Sequence, residues 1–331
     1  MKKIFISLFL LLNLSFAQKF EFDIKAKSVH MQDDILYIKD KNRKYKQIVF
    51  NNNEIEQIDF KPKKPAFKPR RILRHSSVAS SDKNIKHAWL FQQTLDYDHE
   101  ILGDAIEAKS MAVILNDDKQ LNITLDKNHV FEDLKVRLYD IDKDKEDELF
   151  VIKTNVNKGA SLAVYKVEDE EIKQVATTGY LNRNYRWLNV VGFGDFDGNG
   201  IQNIAIVKTP HIGGYLTIYE YADSQLKEKY KRYGFTNHFI GSTELNMVNV
   251  NDLNNDKIDE MILVQMNARN IKIVNYKNNR YHELATIKND SKVNSAIIVK
   301  DLDNDGFKEI IYSLRNKKLV IYTFKYDKSK K

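Results

Sequence analysis

The chain has 331 residues, no cysteine, and a formal charge of +7 from 53 Lys and Arg against 46 Asp and Glu. Without a thiol there is no disulfide framework, cysteine nucleophile or thioether-linked haem, and 42% hydrophobic residues exclude an intrinsically disordered chain. The length suffices for a large core, and the positive charge is spread along the chain with a single local concentration.

Residues 1–17 read as an export signal. Lys2 and Lys3 precede an apolar run from Ile4 to Leu12, and Ser15 and Ala17 place small residues where signal peptidase reads them, which predicts cleavage before Gln18. The run is shorter than the roughly 20 residues a membrane helix needs, so no transmembrane anchor is expected after cleavage, and the product is expected to be periplasmic or secreted. Residues 18–331 are expected to form one domain.

"KFEFDIKA", from Lys19, alternates like a strand but belongs to no unit of its own, and "HMQDDILYIKD" reads as two strands around an acidic turn. "KPKKPAFKPRRILRH", residues 61–75, concentrates the positive charge and is stiffened by Pro62, Pro65 and Pro69. It is expected to be a solvated connection rather than a nucleic-acid surface, since Phe67 is its one aromatic residue. "SSDKNIKHAWLFQQ" offers a second degenerate turn, and residues 95–109 carry no clear pattern.

From Asp140 onward an acidic phrase recurs at intervals of roughly 50 to 60 residues: "DIDKDKEDELFVI", "DFDGNGIQNIAIV", "DLNNDKIDEMILV" and "DLDNDGFKEIIYS". Strand-like segments rich in β-branched residues flank each phrase, and further strands such as "SLAVYKV" and "YLTIYEY" follow. Four short antiparallel strands per unit predict an all-β chain, a β-propeller of four-stranded blades. Counting back from Asp140 predicts six blades, or seven if residues 95–109 hide a boundary. The last unit stops one strand short after "KLVIYTFKYD", so the strand of "KFEFDIKA" is expected to complete it and close the ring.

The spacing Asp-x-Asp-x-Asp/Asn-Gly-x-x-Asp/Glu followed by hydrophobic residues, clearest in "VVGFGDFDGNGIQNIAIV", resembles the FG-GAP and VCBS repeats of integrin α-chain heads and many secreted bacterial proteins. The resemblance covers residues 136–312. It implies a propeller whose loops are similar to calcium sites, and it identifies no reaction.

The loop chemistry can be argued from the residues themselves. Calcium takes six to eight oxygen ligands, and side chains at loop positions 1, 3 and 5, a carbonyl at 7 and a carboxylate at 9 can converge on it when the backbone turns tightly. In the last loop these are Asp301, Asp303, Asp305, the carbonyl of Phe307, and Glu309, with Gly306 at the bend. The first has Asp140, Asp142, Asp144, the Glu146 carbonyl and Glu148, but Lys145 in place of the glycine. The third offers Asp252, Asn254, Asp256, the Ile258 carbonyl and Glu260; the second offers Asp195, Asp197, Asn199, the Ile201 carbonyl and Asn203. Charge count and turn geometry rank the Asp301 loop first, then Asp140, Asp252 and Asp195. An EF-hand would need Glu at position 12, where Val151, Ile206, Leu263 and Tyr312 stand instead. The competing explanation is that Asp and Asn cap the turns through backbone amides without metal.

No catalytic constellation emerges. The eight histidines are scattered, and neither a His-Glu-x-x-His pair nor a phosphate loop occurs. His211 and His238 read as loop histidines, and Tyr185 and Trp187 as packing aromatics rather than a sugar platform. The expected function is a binding or scaffold protein of the cell envelope with a protein or glycan partner, no nucleic acid, and Ca2+ in the Asp301 loop. The alternative is a glycan-active lyase or hydrolase whose residues converge on the propeller channel. A deep acidic or His-lined axial pocket would favour the enzyme, and a shallow, apolar or basic surface the scaffold.

Overall fold

A computed structural model describes residues 17–326, so the expected export signal, apart from Ala17, lies outside the described residues. The described chain is all β, with a single short 3-10 turn at Lys277–Asn279 and no α-helix. This follows from the composition of the apolar segments, where β-branched and aromatic residues alternate or run in blocks too short for a helix.

Three hydrogen-bonded sheets have four strands. The first takes Ala26–Gln32, Ile35–Asp40, Tyr45–Asn51 and Glu54–Asp59 in chain order, and another takes Leu188–Gly194, Asn203–Lys208, Tyr215–Ala222 and Gln225–Tyr233. A five-stranded sheet pairs both Phe235–Thr236 and Val248–Asn251 with Glu260–Gln265, then adds Ile271–Asn275 and His282–Ile287. The third four-stranded sheet joins the chain ends. Ala17–Phe22 runs antiparallel to Leu319–Phe324, with Phe20 opposite Ile321, beside Glu309–Ser313 and Ile298–Lys300. The expected pairing of the N-terminal strand with the last unit is therefore present.

The remaining sheet departs from the expected pattern, because it has nine strands. It consists of two groups. Ala79–Ser80 through Gln120–Thr124 form one, and His129–Phe131 through Glu171–Thr177 the other. They fuse because His129–Phe131 pairs with Glu148–Asn155 on one side and, through Phe131 and Ala108, with Glu107–Leu115 on the other. Residues 95–109 hide no boundary: Ile85–Thr94 and Glu107–Leu115 are antiparallel partners, with Thr94 opposite Glu107.

The second strand of each acidic repeat is the most deeply buried, as in Leu149, Phe150, Val151 and Ile152, each fully enclosed. Apolar clusters join successive sheets; Val191 and Phe196 pack with Val248 and Met261, and Ile311 and Ile321 of the last sheet pack with Val29 and Leu36 of the first. Polar stitches run between the same neighbours. Asn189 donates to the carbonyl of Leu245, Asn249 donates to that of Ile297, and Lys300 reaches Asp34 at 2.9 Å. No helix among the described residues is long and apolar enough to cross a membrane.

Candidate functional site

All four acidic loops fold through the same local bonds, because the spacing lets each side chain satisfy an amide further along. The backbone amide at position 6 donates to the carboxylate at position 1: Lys145 to Asp140 at 3.1 Å, Gly200 to Asp195 at 2.7 Å, Lys257 to Asp252 at 2.9 Å and Gly306 to Asp301 at 2.9 Å. The amide at position 7 donates to the side chain at position 5: Glu146 to Asp144, Ile201 to Asn199, Ile258 to Asp256 and Phe307 to Asp305. Positions 4 and 6 are left-handed in every loop, including Lys143 and Lys145 at φ 62° and 77°, and Asn304 and Gly306 at 60° and 82°. Capping therefore explains the shape of all four loops.

Position 8 ties each loop to the preceding one. The amide of Asp147 donates to Asn84 at 2.8 Å, Gln202 accepts from the Tyr139 hydroxyl at 2.5 Å, and Asp259 accepts from the amide of Asp195 at 2.9 Å. Lys308 reaches Asn251 at 2.6 Å and the carbonyl of Asp252 at 3.0 Å.

The loops part company at position 9. Its residue begins the buried strand, and its carboxylate caps the amide at position 2: Glu148 to Ile141, Glu260 to Leu253 and Glu309 to Leu302. That bond occupies one oxygen and leaves the other facing the loop. Two loops gather three carboxylates whose oxygens lie within 4.8 Å of one another: Asp140, Asp142 and Glu148, and Asp301, Asp303 and Glu309. In the Asp195 loop, Asp195 accepts from the amides of Gly198, Asn199 and Gly200, and Asn203 supplies no charge. In the Asp252 loop, the amide of Asn275 donates to Glu260 at 3.2 Å from the adjacent strand, and burial pushes the Glu260 carboxyl up to about 8.

The cross-strand neighbour decides how each gathered cluster is filled. Lys166 places its ammonium 2.8 Å from Asp142, 3.0 Å from Asp144 and 2.8 Å from Glu148, and Lys83 lies 2.6 Å from Asp140. Burial alone would lower the Lys166 ammonium, but its bonds to Asp142, Glu148 and Asp144 outweigh that and raise it. The Asp140 loop thus contains a cation supplied by its own chain.

In the Asp301 loop the residue opposite Glu309 is Thr323, and Lys325, two residues on, pairs with Asp305 at 2.9 Å. Glu309 is fully buried, yet its Oε1 and the Oδ1 of Asp301 are enclosed without a hydrogen-bond partner. Burial, then the charges of Asp303, Asp305 and Asp301, push the Glu309 carboxyl up to about 7. Enclosed carboxylate oxygens without donors are costly unless a proton or cation joins them, and an all-oxygen donor set suits a hard divalent ion. Both clusters present oxygen donors that could hold a metal ion, and in the Asp140 loop the Lys166 ammonium already lies among them. Lys166 and Asn275 escaped the sequence reading because they lie a strand beyond the motif; counting the hairpin register back to position 9 would have found them.

The other candidates resolve as packing. Trp187 is 2% exposed and donates from its ring nitrogen to the carbonyl of Glu132, while Tyr185 remains 43% exposed. His211 and His238 lie 3.1 Å apart against the Trp187 ring, and burial lowers them to about 4 and about 3, so both are neutral at ordinary pH. A cavity of about 560 Å³ lies among the first strands of several sheets, where apolar residues such as Val29, Val191, Val248 and Ile297 share the lining with Asn246 and Asn249, and His30 and Glu244 are its only titratable imidazole and carboxylate. Compared with known proteins, the chain matches no family model and no curated sequence.

Proposed function

We propose that this protein is a periplasmic or secreted binding or scaffold protein built as a six-bladed propeller of the FG-GAP/VCBS kind, with a calcium ion held in the Asp301 loop. Asp301, Asp303 and Glu309 would hold the ion with Asp305 and the carbonyl of Phe307. The ion would neutralise buried charge and fasten the blade made from both chain ends. The observation that carries this reading is the pair of enclosed oxygens on Asp301 and Glu309 beside Asp303 that lack a hydrogen-bond partner; the equivalent pair on Asp140 and Glu148 differs in having the Lys166 ammonium 2.8 Å from Glu148. Six repeated groups of strands, consecutive links between acidic loops, and the Ala17–Phe22 pairing support the closed ring.

The cavity favours a scaffold over a glycan-cleaving enzyme, since its lining lacks the paired carboxylates such chemistry needs. The test is calorimetric titration of chelator-treated protein with calcium. One binding step is expected, with an affinity near 10⁻⁴ to 10⁻³ M, as is common for extracellular modules. It is lost in Asp303→Ala and kept in Asp142→Ala. A parent protein that takes up no calcium overturns the metal assignment, and glycan cleavage by the purified protein overturns the scaffold reading.

A further inference from the structure

The basic run of residues 61–75 differs from a solvated connector in two respects. First, it is fixed. Phe67 stacks on His87 with ring centroids 4.2 Å apart, the Trp89 ring nitrogen donates to the carbonyl of Arg71 at 3.0 Å, and the Leu73 amide donates to Leu90 at 2.8 Å. Pro69 and Leu73 are buried beneath it, and Gln32 exchanges hydrogen bonds with the backbone of Lys63 at 3.1 and 2.8 Å. Second, its charge is uncompensated. Lys61, Lys64, Lys68, Arg70 and Arg71 are exposed and have no carboxylate within ion-pair distance among the described residues. Lys63 alone has a close carboxylate, Asp33 at 2.8 Å, while Arg74 stands 3.8 Å from Asp104.

We propose that this ridge docks the protein on an anionic phospholipid surface. Several cations fixed on a short stretch raise the local potential and attract a dense array of phosphates. The apolar side chains of the run point the same way. Phe67 is covered by His87 and Leu73 is buried, leaving no aromatic platform for sugar or base and no exposed anchor for a protein hot spot. What remains is charge, which matches a diffuse polyanionic surface better than a shaped partner. Because the backbone is already pinned, little ordering entropy opposes binding.

The experiment is flotation of the full-length mature protein with phosphatidylcholine vesicles, with and without about one third phosphatidylglycerol, near 0.1 M salt where screening acts over about 10 Å. The parent is expected to float only with the anionic vesicles and to be released by high salt. Replacing Lys61, Lys64, Lys68, Arg70 and Arg71 by Gln should weaken partitioning at least about tenfold. Five exposed lysines elsewhere, Lys127, Lys158, Lys227, Lys288 and Lys292, changed in the same way should leave it nearly unaltered. The milder pair Lys61→Gln and Lys64→Gln should give an intermediate loss, and thermal melts establish that each variant is folded. Equal loss in both five-residue variants, no binding by the parent, or binding to heparin but not to vesicles would each overturn the proposal.

Discussion

The loops at Asp140 and Asp301 place the same four carboxylates at the same spacing, share the same capping bonds, and stand at the head of equally buried strands. Lys166 lies 2.8 Å from Glu148 in the first, whereas Thr323 stands opposite Glu309 in the second and supplies no cation to it; each loop also encloses an oxygen of its first aspartate, Asp140 or Asp301, without a hydrogen-bond partner. Carboxylate count is the same in both loops. The residue across the hairpin differs, and in the first loop an ammonium within 3 Å neutralises part of the cluster. A second difference concerns the sheets. That of the Asp140 loop is continuous chain, whereas that of the Asp301 loop needs a strand from the opposite terminus.

This second difference predicts the largest effect. Removing residues 18–22 strips Phe20 and Phe22 from their contacts with Phe50, at ring distances of 5.7 and 6.5 Å, and exposes the edge of Leu319–Phe324. Loss of two aromatic packing partners and a paired strand should lower the melting temperature by about 10 °C or more. Calcium affinity should weaken with it, since Thr323 and Lys325 flank the Asp301 loop. A truncated protein melting like the parent would separate strand closure from stability.

Next in size is Lys166→Met, which leaves the fully buried Glu148 without its ammonium. Breaking a buried ion pair on one side costs about 3 kcal/mol, read as a shift of the urea midpoint in chelator. Millimolar calcium should restore part of this, because the variant exposes the carboxylate cluster that the lysine had filled. Without such rescue, Lys166 does more than stand in for a metal.

A pair of isosteric changes should differ in effect. Glu148→Gln removes a partner of Lys166 but also relieves a carboxyl that burial raises, so it should change stability by less than about 1 kcal/mol. Glu309→Gln instead removes a buried charge whose Oε1 has no hydrogen-bond partner, the nearby Lys325 being paired to Asp305, and should stabilise the metal-free protein while abolishing its response to calcium. The pH dependence follows from the direction of the shift. Glu309 is raised from its ordinary 4.5 to about 7, so across that window the folded state keeps a proton that the unfolded state releases. Metal-free stability should therefore fall as pH rises through the window, and the gain from Glu309→Gln should grow to on the order of 2 kcal/mol above it. Denaturant melts at several pH values in chelator check both signs.

The strands, their pairing in hairpins and the pairing of Lys19 to Phe22 with the last strand were legible because period-two patterning and acidic turns are local signals. The fusion of two strand groups into one sheet was not, since it rests on the single pairing of Phe131 with Ala108, an accident of where two edges meet. The site was half legible for a similar reason. Position 9 lies within the motif, but its occupant's partner lies 18 residues on at Lys166 and 14 on at Thr323, and only the hairpin register connects them. The fixed path of residues 61–75 was equally hidden, because its anchors, His87, Trp89 and Leu90, belong to the following strand.

The smallest expected effect lies in the backbone of the two loops. Position 6 is left-handed in both, at φ 77° in Lys145 and 82° in Gly306, and a residue with a Cβ meets a penalty there of about 1 kcal/mol that glycine escapes. Lys145→Gly keeps the amide that bonds Asp140 and removes that strain, while adding some freedom to the unfolded chain. The net gain should be about 0.5 kcal/mol, with no calcium binding created, because Lys166 still fills the cluster. Gly306→Ala should cost about 1 kcal/mol and weaken calcium binding, since the same turn holds Asp301 and Asp305 in place. If Lys145→Gly alone conferred calcium binding, turn strain rather than the internal ammonium would be what separates the loops.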